Sequence, residues 1–309
     1  MSAIRKAVVP MAGLGTRLFP ASHACKKELF PIVGADGIAR ALFHYHLIEL
    51  DAAGIDEICL IVQPGEDEAV RHYLAGPDEA YLQRLESHPA LRREAAEMRR
   101  LGERVRFVEQ RTQEGYGHAV FQTRAFAGSE PVLLCLGDHL FRGRRDSPYR
   151  ALAEIGAAAK GRSVSAVNRI AAAELKGYGT IAGTRRADDR RLIDVSLIIE
   201  KPDEATARAK LKVDGLPPDT WLGWLGMHVL GPGIYDVLDQ MIRDDVRDRG
   251  EFQLTRAQEI QRQLEGYLAV ELDDAERFDF GTPDDLVTSA GGFAKGSTSS
   301  AGSTGSAGS

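Results

Sequence analysis

Several things are scarce in this 309-residue sequence, and each scarcity removes a class of answer. The three cysteines, Cys25, Cys59 and Cys135, are odd in number and lack metal-ligand spacing, which excludes a disulfide scaffold or a zinc site as the organising principle. Cys59 and Cys135 lie in apolar runs and read as small buried hydrophobes, while Cys25 reads as a bystander in a loop. There is no surplus of positive charge. A net charge of −6 counts against a nucleic-acid or membrane-surface partner, because such partners select for broad basic patches. No run approaches the ~20 consecutive apolar residues of a membrane span. Arg5 and Lys6 precede only a short apolar stretch, unlike a secretory signal, so the expected location is cytoplasmic.

What is present points to a large α/β fold. Hydrophobic residues make up 43% of the chain, enough for a full core in one large domain or two small ones. Strand patterns at Lys6–Pro10, Glu57–Val62, Val105–Val108 and Pro131–Leu136 alternate with helical patterns at Gly37–Ala53, Asp67–Leu74 and His118–Ala125. That is the βαβ rhythm of a mostly parallel, Rossmann-like sheet flanked by helices. The charged segment Pro77–Leu101 reads as an exposed helix. Strands at Ser163–Asn168, Gly179–Ala182, Leu192–Glu200 and Leu225–Leu230 suit an antiparallel extension of the same sheet. From Gly296 to Ser309 only Gly, Ser, Thr and Ala occur, the composition of a flexible tail or linker, so the folded domain is taken as 1–295.

The most informative stretch is the first strand with the loop at its end. Ala7-Val8-Val9-Pro10 leads into Ala12-Gly13-Leu14-Gly15-Thr16-Arg17 and then Lys27-Glu28. Gly13 and Gly15 let backbone N–H groups approach an anion, and Arg17 and Lys27 supply the positive charge a triphosphate needs. No Gly-Lys-Ser/Thr comes after it, so this is not a P-loop, and the third glycine of a dinucleotide fingerprint is missing. Asp138, at the end of the buried run Pro131–Leu136, stands where α/β sheets place ligand chemistry.

The extended string Gly-x-Gly-Thr-Arg, Pro20, Lys27-Glu28-x-x-Pro31 resembles the nucleoside-diphosphate-sugar pyrophosphorylases, most closely the bacterial UTP–glucose-1-phosphate uridylyltransferases. Matching blocks continue in order to about residue 290. They are Gln110 with Gly115-Tyr116-Gly117-His118-Ala119-Val120, Leu136-Gly137-Asp138, Tyr178-Gly179 with Glu200-Lys201-Pro202, Glu251-Phe252-Gln253-Leu254-Thr255, and Asp279-Phe280-Gly281-Thr282-Pro283.

The resemblance implies the nucleotide-diphospho-sugar transferase fold, with a nucleotide-binding half to about residue 140 and a sugar-phosphate half from 141 to 295. It implies in-line attack of a sugar-phosphate oxygen on the α-phosphorus of UTP, with pyrophosphate leaving. Such a reaction needs positioning and charge neutralisation, with no protein nucleophile. By the same resemblance Arg17 braces the β- and γ-phosphates, Lys27 reaches the α-phosphate, and Asp138 and Asp279 hold Mg²⁺. Ala12, Gly13, Gly15, Thr16, Glu28, Gln110 and Gly115 would bind the nucleotide, and Gly179, Glu200 and Lys201 the sugar phosphate. Gln110 carries both a donor and an acceptor, matching the imide edge of uracil or thymine. A homodimer or homotetramer is also implied.

Three departures keep neighbouring readings open. Gly281-Thr282-Pro283 stands where uridylyltransferases carry Gly-Asn-Lys, and it is more like the thymidylyl and guanylyl branches. His23 and Lys26 replace a lysine and a proline in the phosphate loop. The alternatives are a nucleotidyltransferase using dTTP, GTP or another sugar 1-phosphate, and a catalytically silent regulatory paralogue. His118 reads as a helix-start or packing residue; Trp221 and Trp224 read as core or as a sugar-stacking surface.

Overall fold

The computed structural model describes residues 3–296; the expected tail, from residue 297 on, lies outside the described residues. Its strands are β1 (Lys6–Pro10), β2 (Pro31–Val33), β3 (Ala39–Ala41), β4 (Glu57–Val62), β5 (Val105–Glu109), β6 (Val132–Cys135), β7 (His139–Gly143), β8 (Val164–Ala171), β9 (Gly179–Arg185), β10 (Leu192–Glu200), β11 (Thr220–Leu230), β12 (Leu268–Glu271) and β13 (Ala275–Asp279). Nine of them form one mixed sheet in the order β5-β4-β1-β6-β11-β8-β12-β10-β9.

The half of the sheet from β5 to β6 is parallel, with Val8 of β1 opposite both Cys59 of β4 and Leu134 of β6. Its strands β1, β4 and β6 are apolar on both faces, as a covered parallel sheet requires, while the edge strand β5 exposes Arg106. Ala7 and Val9 point into one core with Phe43, Leu47 and Tyr149, while Val8 points into another with Tyr235 and Leu254. Each such fully buried aliphatic or aromatic side chain contributes roughly 1.5–3 kcal/mol. The chain runs outward from β1 to β4 and β5, then returns to β6 on the other flank of β1. This reversal opens a crevice at the carboxyl ends of β1 and β6, the place where open α/β sheets bind ligands.

Beyond β6 the sheet turns largely antiparallel, as the sequence predicts, although β8 and β12 are parallel. The strand expected at Leu225–Leu230 begins at Thr220 and is buried along nearly its whole length.

Three local expectations need correction. The helix predicted from Gly37 starts at Leu42 because a turn at Gly34–Gly37 folds β3 back on β2. The helix predicted over His118–Ala125 splits into Tyr116–Phe121 and Arg124–Ala127. Thr123 Oγ1 bonds the Val120 carbonyl and the Tyr235 hydroxyl, an alternative to helix continuation. The Pro77–Leu101 helix is two helices, Glu79–Arg84 and Pro89–Gly102, the second restarted by a proline at its first position and burying Ala95 and Leu101.

The strands missed in the sequence include β7 and β13, which pair antiparallel outside the main sheet with His139 opposite Asp279. That register sets up the site.

Candidate active site

A cavity of about 410 Å³ lies at the carboxyl ends of β1 and β6. Its lining includes Ala12, Gly13, Gly15, Thr16, Arg17, Lys27, Glu28, Gln110, Gly115 and Asp138, so the first-half residues expected to bind nucleotide, phosphate or metal are brought to one place. A second cavity of about 520 Å³ is lined by Glu200, Lys201, Arg249, Gln253 and Thr255, and Glu251 lines both. A third hollow, about 430 Å³ between the helices Gly233–Arg243 and Leu254–Glu265, has three acidic residues and no cation in its lining, which rules it out for phosphate.

Close backbone packing shapes the first cavity. At Gly137 a β-carbon would fall 2.2 Å from the carbonyl oxygen of Pro10, so only glycine lets the β6 loop lie against the end of β1. At Gly115, φ is 109° and a β-carbon would strike Glu251 and Phe252. The Phe252 amide donates to the Glu114 carbonyl and the Gly117 amide donates to the Phe252 carbonyl, stitching the Gln110–Gly115 loop to the Glu251 segment. Gln110 is buried and donates through Nε2 to the Gly115 carbonyl at 3.2 Å. His118 is buried beside it, 3.3 Å from Gln110 Nε2, in the packing role expected.

The charged centre is dense. Lys27 Nζ pairs with Asp138 Oδ2 at 2.5 Å. Arg17 reaches the same corner, where its Nη2 and Asp138 Oδ2 would both stand 3.2 Å from a β-carbon placed on Gly281. Across the β7–β13 pair, His139 spans the two aspartates with Nδ1 2.9 Å from Asp138 Oδ1 and Nε2 3.1 Å from Asp279 Oδ2. The Phe280 amide donates to the Asp138 carbonyl, and the Gly281 amide holds Asp279 Oδ1 at 2.8 Å.

Burial opposes charge at Asp138, but His139 and Lys27 prevail and hold its carboxyl far below the usual carboxylate range. Burial also opposes an imidazolium at His139, yet Asp138 and Asp279 push its pKa up to about 9. Asp279 is lowered as well, with burial outweighed by the His139 hydrogen bond. Glu28 goes the other way. Its carboxylate is 2% exposed, its Oε2 has no hydrogen-bond partner among the described residues, and burial pushes its pKa up to about 7 against the pull of Lys27.

Ligand atoms of Asp138, His139 and Asp279 all lie within 4.8 Å of one another; the two carboxylates offer the hard oxygen donors a divalent cation needs, while the His139 imidazolium occupies the place between them. His139, adjacent to the Gly137-Asp138 block, was missed in the sequence.

Glu200 of the second cavity pairs across β10 and β9 with Gly179, which is not itself part of the cavity lining. Glu200 Oε2 accepts from Thr255 Oγ1 at 2.7 Å, and its Oε1 lies 3.7 Å from Lys201 Nζ. Lys201 adopts φ 48°, a conformation uncommon outside glycine, and its amide donates to the Tyr178 carbonyl at 3.0 Å. Trp221 and Trp224 are both buried in the core, and Trp224 backs Gly179 from beneath. Sequence reasoning also overlooked Arg277. Its guanidinium stacks 4.5 Å from the Tyr178 ring and donates to the Tyr178 hydroxyl, joining β13 to the residue whose carbonyl accepts the Lys201 amide. The signal was its place two residues before Asp279, on the same face of β13.

Fold and site together define an enzyme that handles nucleotide phosphates. Residues 6–295 match the sequence profile of the nucleotidyl transferase family, and the chain belongs to that family. It is 29% identical over 278 residues to UTP–glucose-1-phosphate uridylyltransferase 1 of Staphylococcus saprophyticus, covering 90% of this chain and 88% of that protein. To UTP–glucose-1-phosphate uridylyltransferase of Bacillus subtilis it is 27% identical over 294 residues, 95% of this chain and 92% of the relative. Among solved structures, a UDP-glucose pyrophosphorylase complexed with UDP-glucose superimposes with a TM-score of 0.75 at 22% identity, covering 94% of this chain and 99% of the other. A UTP-bound UDP-glucose pyrophosphorylase from Acinetobacter baumannii gives 0.73 at 23% identity, covering 94% and 93% of the two chains. The fold is therefore that of the nucleotide-diphospho-sugar transferases.

Proposed function

We propose that this protein transfers a uridylyl group from UTP to glucose 1-phosphate, releasing pyrophosphate and forming UDP-glucose. The observation that carries this reading is the convergence of Arg17, Lys27 and Asp138 on one end of a cavity whose other end holds Gln110 and Gly115, with a second anion-compatible cavity adjoining through Glu251. Gln110 with backbone groups of Ala12, Gly13 and Gly115 takes the pyrimidine, and Glu28, Gly15 and Thr16 complete the nucleotide's surroundings. Lys201, Glu200 and Gly179 take the sugar phosphate. The nucleotide half then runs to about residue 140 and the sugar-phosphate half to 295.

The sugar-phosphate oxygen already carries charge, so the residues have no proton to remove. Lys27 neutralises the α-phosphate as the two anions approach, and Arg17 favours the charge growing on the departing pyrophosphate. Asp138 and Asp279, with His139 between them, would hold Mg²⁺, which when bound screens phosphate oxygens from one another. Asp138, which pairs with Lys27, would be the carboxylate that a bound cation shares with that lysine. A cytoplasmic location and a homodimer or homotetramer belong to the same proposal; among the described residues no helix is long and apolar enough to cross a membrane.

The test is the product itself. Incubation with UTP, glucose 1-phosphate and Mg²⁺, followed by ³¹P NMR, should give UDP-glucose and pyrophosphate in equal amounts. A faster reaction with dTTP than with UTP would move the protein to the thymidylyl branch, the reading favoured by Gly281-Thr282-Pro283.

A further inference from the structure

Lys26 stands where the resembling family carries proline, and nothing in the reaction uses it. In the structure its side chain is 12% exposed and its ammonium has three partners. It donates to the carbonyl oxygens of Met11 at 2.9 Å and Gly13 at 3.0 Å, and pairs with Glu66 Oε2 at 2.6 Å. That carboxylate oxygen also accepts the Gln63 backbone amide at 3.0 Å, and the Gln63 side chain donates to the Ala12 carbonyl at 3.0 Å. Three consecutive carbonyls, of Met11, Ala12 and Gly13, are thus drawn to the back of the phosphate loop.

In a trans peptide the C=O and the following N–H point in opposite directions. The amides of Ala12, Gly13 and Leu14 are therefore turned forward, and among the described residues none of them donates to a protein acceptor. Ala12, Gly13 and Leu14 line the first cavity, whereas Lys26 and Glu66 do not; those two line a hollow on the other side of the loop, which Gly13 and Leu14 also border. A β-carbon on Gly13 would meet nothing within 4 Å, so the hydrogen bonds to its carbonyl and to those of Met11 and Ala12 are the contacts seen to fix this stretch of the loop.

We propose that Lys26, with Gln63 and Glu66, is a positioning strap that aims the Ala12–Leu14 amides at the nucleotide before it arrives. This rests on the nucleotidyl-transfer function proposed for the site. Lys26 touches no reacting group. Its effect is pre-organisation: a glycine-containing loop left free must be ordered at the moment of binding, and the strap removes that loss.

Calorimetric titration with UTP, together with KM for both substrates, tests the strap in Lys26→Met and Gln63→Ala. Lys26→Met should weaken UTP binding about tenfold, the equivalent of about 1.4 kcal/mol, and raise KM for UTP alike. KM for glucose 1-phosphate should stay within about twofold, since that site lies across the cleft. Gln63→Ala, which frees one carbonyl instead of two, should lose about threefold. If thermal melting shows Lys26→Met to be unfolded, Gln63→Ala and Glu66→Gln carry the same comparison. Unchanged UTP affinity, or equal losses for both substrates, overturns the strap. A wild-type protein that binds neither UTP nor dTTP overturns the nucleotide reading and the strap with it.

Discussion

The two cavities that meet at Glu251 are built in opposite ways. The first has one contiguous loop, Ala12–Arg17, along one wall, and the carbonyls of Met11, Ala12 and Gly13 are tied down by Lys26 and Gln63. The second is assembled from side chains on separate elements, Glu200 and Lys201 at the end of β10 and Thr255 on the helix Leu254–Glu265, with Arg277 of β13 packed on Tyr178 beside Lys201. Backbone amides aimed by a rigid loop suit an invariant group such as a phosphate chain. Side chains from several elements suit a variable group, because one substitution changes specificity without disturbing the rest.

The comparison can be broken most severely at the charged centre. Lys27→Ala, Lys201→Ala and Asp138→Asn should each lower kcat/KM by roughly 10²–10³-fold, the scale of losing one placed charge at a developing anion. Steady-state rates near wild type in any of them would remove that residue from the account. A gentler cut separates the cavities. Arg277→Ala should raise KM for the sugar phosphate about tenfold and leave KM for UTP within about twofold, the mirror image of the strap variants. Equal changes in both constants would mean that Arg277 only supports the fold.

The smallest effect concerns pH and stability without divalent ions. Folding raises the His139 pKa from its ordinary 6.5 to about 9, so the imidazolium stabilises the fold fully below about pH 6.5 and that contribution is lost as pH rises through 9. Melting of the metal-free protein should fall by a few degrees between pH 7 and pH 10. His139→Asn should flatten that slope, leaving the two aspartates facing each other, and should enlarge the gain in melting temperature on adding Mg²⁺. An unchanged slope in the variant would assign the pH effect to other groups.

The two cavities also differ in how much of each was legible in the sequence. The loop Ala12–Arg17, Lys27-Glu28 and the Gln110–Gly115 turn could be read because each is a short run whose chemistry is local to the run. His139 and Arg277 could not, because their meaning comes from β7 pairing with β13 in a register that puts His139 opposite Asp279, and from Tyr178 arriving from another element. Short strands outside the main sheet have little periodicity to reveal them. Lys26 was visible as a departure, yet its role needs the carbonyls of Met11 and Gly13 to be folded back over it. The main strands were placed well, since β1, β4 and β6 are apolar on both faces, whereas helix ends yielded to local hydrogen bonds such as those of Thr123.

Pyrophosphate release from UTP, dTTP, GTP, CTP and ATP against glucose 1-phosphate, with and without Mg²⁺, tests the central claim most directly. The account predicts strong release with UTP, loss of it without the metal, and little with the purine nucleotides. Silence with every triphosphate, or release that is indifferent to the choice between UTP and ATP, would contradict it.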